Sequence, residues 1–80
     1  MRLDKYLKNT RLIKRRTVAK EACDQGRVSI NNQVAKAGSE VAVGDQIDIH
    51  FGNHDVRIQV VQVKENVGKK EADQLYRLID

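Results

Sequence analysis

The sequence has no proline and no tryptophan, and only one cysteine and one phenylalanine among its 80 residues. A lone Cys23 closes no internal disulfide, and no Cys or His residues pair at metal-ligand spacing, so neither a covalent nor a metal staple is expected. His50 and His54 stand four apart in a strand-and-turn context, which does not put them on one face, and they lack a third ligand. No apolar run is long enough for a signal peptide or a membrane span, and Met1 is followed at once by Arg2, Asp4 and Lys5, so a soluble, cytoplasmic protein is expected. Without low-complexity tracts or repeats, the chain reads as one domain over residues 1–80. A chain this short hides roughly 60% of the surface exposed when unfolded, which leaves little room for a water-excluding catalytic cavity. There is no glycine-rich phosphate loop and no Ser-His-Asp arrangement, so we expect neither an enzyme nor a cofactor.

What is present is positive charge, and it is segregated. Residues 1–20 carry Arg2, Lys5, Lys8, Arg11, Lys14, Arg15, Arg16 and Lys20 against Asp4 alone, a net charge of +7, whereas residues 21–80 sum to −3. An excess confined to one quarter of the chain is the footprint of a polyanion partner rather than of an evenly solvated surface. A membrane surface fits less well than nucleic acid, because residues 1–20 hold no Trp or Phe for interfacial insertion and their apolar residues are committed to a core.

Apolar residues four apart at Leu3 and Leu7, with Tyr6 beside them, predict a short first helix. Thr17 is expected to cap a second helix that Gly26 ends, with Val18, Ala19, Ala22 and Cys23 forming its buried stripe and Lys20, Asp24 and Gln25 facing out. Cys23 then reads as a small core residue rather than a nucleophile. Arg27-Val-Ser-Ile30 alternates as a strand, and Asn31-Asn32 predicts a tight hairpin into Gln33-Val34. After turns at Gly38-Ser39 and Gly44-Asp45, Ile47, Ile49 and Phe51 alternate. So do Val56, Ile58 and Val60, until the phase shift at Val61 predicts a bulge. Ala72, Leu75, Tyr76, Leu78 and Ile79 have helical spacing and predict a C-terminal helix behind Lys69-Lys70. The fold class is α+β, two N-terminal helices on a small antiparallel sheet with a short C-terminal helix.

The informative stretch is Arg11-Leu-Ile-Lys-Arg-Arg-Thr-Val-Ala-Lys20, a run of cations at a helix start. There the unpaired N–H groups and the helix dipole both favour an anion, and an arginine fork matches phosphate oxygens. Cations at that end oppose the dipole and cost stability unless a polyanion is bound. Asp4 lies between Arg2 and Lys5, so it is expected to orient arginines, Arg15 or Arg16, by salt bridging rather than to act as a general base.

Met1-Arg-Leu-Asp-Lys-Tyr-Leu7, the Arg11–Lys20 run, Gly26-Arg-Val-Ser-Ile-Asn31 and Val43-Gly-Asp-Gln-Ile47 together resemble the S4 RNA-binding domain, over residues 1–50. The remaining tail, residues 51–80, resembles that of the free-standing S4 proteins of bacterial ribosome quality control. The resemblance implies binding to a large ribosomal subunit split from a stalled ribosome, with contacts to large-subunit ribosomal RNA and to peptidyl-tRNA. It also implies a NEMF-type partner, RqcH, that directs alanine tailing of the nascent chain, and a protein that is monomeric when free. The RNA contacts carried over are Arg2, Asp4, Lys5, Arg11, Lys14, Arg15 and Arg16, with Thr17 and Lys20 at the helix start and Asn31 and Lys36 on the hairpin.

Three rivals remain. A heat-shock S4 protein recycles free large subunits that carry a nascent chain, but it is longer and has a basic C-terminal extension. S4 domains also occur on pseudouridine synthases and tyrosyl-tRNA synthetases, whose catalytic domains need well over a hundred further residues. A protein-interaction role for the hairpin edge from Gln46 to Lys64 survives as an accessory function.

Overall fold

The computed structural model describes residues 1–79. Helices α1 (Leu3–Asn9) and α2 (Arg16–Asp24) precede strands β1 (Val28–Ile30), β2 (Gln33–Val34), β3 (Gln46–His50) and β4 (Asp55–Val60). A 3-10 helix (Lys69–Gln74) and strand β5 (Tyr76–Leu78) follow. The sheet is antiparallel throughout, in the order β2-β1-β3-β4-β5.

Each helix begins without a side-chain cap. In α1 the orphan donors are met by a loop: Leu3 N–H donates to the Ser39 carbonyl at 2.9 Å and Asp4 N–H to that of Ala37 at 3.1 Å. Residues 1 and 2 run along the same loop, with the amino group of Met1 paired to Glu40 and Val41 N–H bonded to the Met1 carbonyl. The N-terminal arginine is thereby tied to the body of the protein.

The core joins Leu3, Tyr6 and Leu7 of α1 and Ala19 and Cys23 of α2 to Val28, Ile47, Ile49, Ile58 and Val60 of the sheet. Ala19 and Cys23 are one turn apart and small, which lets α2 approach α1 closely. Burial pushes the Cys23 thiol up to about 11, so it stays protonated as a core residue. Val18 departs from the expected stripe. It is 48% exposed, because the face packed against α1 is carried by the Ala19–Cys23 line and Val18 points to one side of it.

The Asn31-Asn32 hairpin forms as expected, with φ of 51° and 69°, the paired positive values of a tight two-residue turn. The irregularity expected at Val61 is also present: the N–H groups of Val61 and Gln62 both donate to the Leu75 carbonyl, two residues facing one. The C-terminal segment differs from its helical spacing. A short 3-10 helix occupies Lys69–Gln74, but Tyr76–Leu78 form an edge strand that supplies hydrogen-bond partners to the outer side of β4. Short apolar runs do not separate the two periodicities, and an unpaired edge on β4 tips the balance toward a strand.

Tyr6 links the two ends of the chain. Its hydroxyl, fully buried, donates to the Leu75 carbonyl at 2.7 Å, and burial drives its ionisation far above the usual range. Tyr6→Phe should lower stability by about 1 kcal/mol and no more, because the Leu75 carbonyl keeps its two backbone donors. Urea denaturation checks this; a loss well above that size would mean that the hydroxyl organises the tail.

Candidate nucleic-acid interface

The site is built around one carboxylate. Asp4 is 2% exposed, yet it sits in the first turn of α1 with its oxygens turned toward α2. Arg2 reaches it through Nε at 3.3 Å and through a terminal guanidinium nitrogen at 3.4 Å, Arg16 through Nε at 3.4 Å, and Lys5 N–H donates to it at 2.8 Å. Burial raises the Asp4 pKa, but these donors and the two guanidinium charges outweigh it and hold the carboxyl below the usual carboxylate range. The arginines stay half exposed, at 53% and 49% of their side-chain surface, so each is fixed at one end and open at the other. Of the partners expected for Asp4, the structure selects Arg16 and not Arg15.

The other residues assigned to the site are spread over several elements. Arg11, Lys14 and Arg15 lie on the loop and helix start between α1 and α2, exposed, and Arg15 and Arg16 bracket the start of α2. Thr17 lies within the first turn of α2 and not at its cap; Arg15 holds the cap position in extended conformation. Thr17 therefore leaves the helix-start donors uncapped. Lys20 follows Arg16 by four residues and shares its side of α2.

Lys36 belongs to the turn that seats α1. Its N–H is bonded to Ser39 Oγ at 2.9 Å, and the Arg2 guanidinium passes 3.9 Å from the position that a Gly38 Cβ would take. Asn31 is placed differently. Its side chain donates to Asp45 and accepts from Gln46 N–H, and with Glu40 and Asp45 it lines a polar depression apart from the arginines. Lys5 is neutralised by Glu65, whose carboxyl is held low first by the Lys5 hydrogen bond and then by its charge. That partner is sixty positions away, beyond anything local spacing can signal. Lys5, Lys8 and Arg16 share a second depression with Glu65 and Glu71, which mutes its positive character. By contrast, Arg11, Lys14, Arg15, Lys20 and Lys36 form no ion pair with a described residue. Lys8 and Arg27, which are not among the RNA contacts that the resemblance implies, lie beside these residues, and the only sequence signal for Arg27 is its place in the Gly26–Asn31 motif.

Arg11 is held at a conformational cost. It follows the last turn of α1 with φ of 61°, the left-handed position where glycine is preferred. Among the described residues no group of three potential metal ligands occurs, and no helix is long and apolar enough to cross a membrane.

Two outcomes follow from this geometry. Arg11→Gly should raise stability by about 0.5 to 1 kcal/mol, by relieving the left-handed strain, while weakening RNA binding. Calorimetry and RNA titration of the same variant check this, and a loss of both would refute it. Asp4→Asn should cost about 1 to 2 kcal/mol at pH 7, a modest figure because the arginines are half exposed. The Asp4 carboxyl titrates lower folded than unfolded, so its contribution is complete above about pH 4 and is lost as pH falls through the folded value. Urea titrations from pH 7 downward should therefore show the gap between the variant and the wild type narrowing below about pH 4; a constant gap would exclude ionic stabilisation.

Comparison with known proteins agrees with the geometry. The S4 domain profile matches residues 1–47. The "RQC P-site tRNA stabilizing factor" of Halalkalibacterium halodurans is 55% identical over 78 residues, covering 98% of this chain and 89% of its own. That of Bacillus subtilis is 52% identical, covering 99% and 92%. Among solved structures, trimeric heat shock protein 15 of Vibrio cholerae superposes with a TM-score of 0.91 at 35% identity, over 99% of this chain and 81% of that one. With the profile spanning more than half of the sequence and these relatives matching nearly end to end, the chain belongs to the S4 domain family.

Proposed function

We propose that this protein is a ribosome-associated RNA-binding factor. It engages the large ribosomal subunit and the peptidyl-tRNA left on it after a stalled ribosome is split, and it holds that tRNA while a NEMF-type partner, RqcH, directs C-terminal alanine tailing. It acts by binding rather than by chemistry, in the cytoplasm, and is a monomer when free. The whole chain, 1–80, is one S4-type unit with its core motif in residues 1–50 and a tail in 51–80.

The observation that carries this reading is the pair Arg2 and Arg16, fixed by a buried carboxylate beside an uncapped helix start. Fixed guanidinium groups and free N–H donors recognise phosphate oxygens, which position a protein on RNA and carry little sequence information. Arg11, Lys14, Arg15, Thr17, Lys20 and Lys36 extend that surface, and the relatives named for P-site tRNA stabilisation point to its target. Lys5 and Asn31, committed to Glu65 and to the hairpin, are weaker members. The likeness to heat shock protein 15 favours a second reading, recycling of free large subunits that carry a nascent chain.

Affinity purification from growing cells with RNA sequencing and proteomics separates the two. Large-subunit RNA with tRNA and the RqcH-type factor supports alanine tailing; large-subunit RNA with tRNA and no such factor supports recycling. Recovery of small-subunit RNA alone would refute both. In vitro, Arg15→Ala with Arg16→Ala should reduce the slope of log K against log salt by about one to two, with the helical circular dichroism unchanged. An unchanged slope would show that those arginines do not meet phosphate.

A further inference from the structure

Beside the start of α2 lies a groove of 470 Å³ whose floor is the core itself, at Ile13 and Ile49. Its walls are apolar: Leu12 from the loop, Val18 and Ala22 from α2, and Phe51 from the end of β3. Lys14, Arg15 and Arg27 stand on its rim. Its remaining ionisable group, His50, is paired with Asp55 across the hairpin at 2.6 Å, and no carboxylate lines the groove.

Two features mark it as more than a packing fault. Val18 is 48% exposed on a helix where a polar residue would cost nothing, and the Phe51 ring is steadied by stacking on His54 at 5.2 Å between centroids.

We propose that this groove receives one unpaired RNA base, with the flanking phosphates of that nucleotide held by Lys14, Arg15 and Arg27. The inference rests on the RNA-binding reading above and names the form of RNA that the surface selects. An apolar side chain of a partner protein would use the walls and leave three cations without a counter-charge. A fully paired RNA helix would use the cations and leave the apolar walls facing water, because its bases are stacked inside. An unpaired nucleotide joins a flat apolar ring to a phosphate on either side and satisfies both. Val18, on the solvent side of its helix, meets the base, and Arg15, at the helix start, meets the backbone. The groove thus continues the phosphate surface and adds the contact that phosphates alone do not give, a preference for RNA with a base out of the stack.

The full-length protein tests this with two RNAs: a blunt A-form duplex, and the same duplex carrying a single-nucleotide bulge in which the unpaired base is a fluorescent adenine analogue. Wild type should bind the bulged RNA about tenfold more tightly and change the emission of the analogue. Val18→Asn, at an exposed position that tolerates a polar residue, should bind the blunt duplex as wild type does and lose both the preference and the emission change. Lys14→Ala with Arg15→Ala should weaken both RNAs. Equal affinity of wild type for the two RNAs, or a Val18→Asn variant that keeps the full preference, overturns the base pocket while duplex binding still upholds the RNA-binding reading. Binding to neither RNA overturns both.

Discussion

The contact between the Asp4 carboxylate and two arginine side chains is the constraint on which the rest of this surface depends. A carboxylate buried to this degree is unfavourable alone, and it is stable here because a backbone N–H and two guanidinium groups converge on it. The same contacts draw Arg2 from the N-terminus and Arg16 from the second helix onto one locus. A side chain that would otherwise sample many rotamers is held with its outer face toward solvent, so less entropy is lost when a phosphate arrives.

Around that locus the protein accepts local costs that folding alone does not require. Arginines bracket the positive end of α2, where acidic residues would be favourable, and α2 has no acidic residue in its first turn. Arg11 occupies a left-handed position better suited to glycine, and Val18 exposes a methyl-bearing side chain to water. All three lie within residues 11–18. The opposite flank is tempered: Glu65 and Glu71 line one depression with Lys5, Lys8 and Arg16, whereas no carboxylate lines the groove beside Lys14, Arg15 and Arg27.

Much of this was legible in the sequence, for physical reasons. The charge segregation, the Asn31-Asn32 turn, the alternation through Ile47–Ile49 and Ile58–Val60 and the shift at Val61 are local signals, and local signals survive folding. The pairing of Asp4 with an arginine followed from charge alone, but the choice of Arg16 over Arg15 depended on α2 beginning at Arg16 with Arg15 as its cap, two residues before the expected Thr17 cap. What the sequence hid was set by distant partners. Lys5 meets Glu65 across the fold, Tyr76–Leu78 become a strand because β4 has an open edge, and Val18 leaves the core because the smaller Ala19 and Cys23 supply the helix contact. The groove follows from that last displacement, and no periodicity in the chain announces it.

The central claim is that the arginines of the first two helices, and not those of the sheet, meet RNA. The most direct measurement follows the Nε–H resonances of all arginines by NMR as a large-subunit ribosomal RNA helix is titrated in. The account predicts that Arg2, Arg11, Arg15 and Arg16 shift together and saturate at one equivalent, while Arg57 and Arg77, on β4 and β5, stay where they are. Shifts centred on Arg57 and Arg77, with Arg2 and Arg16 unmoved, would contradict it.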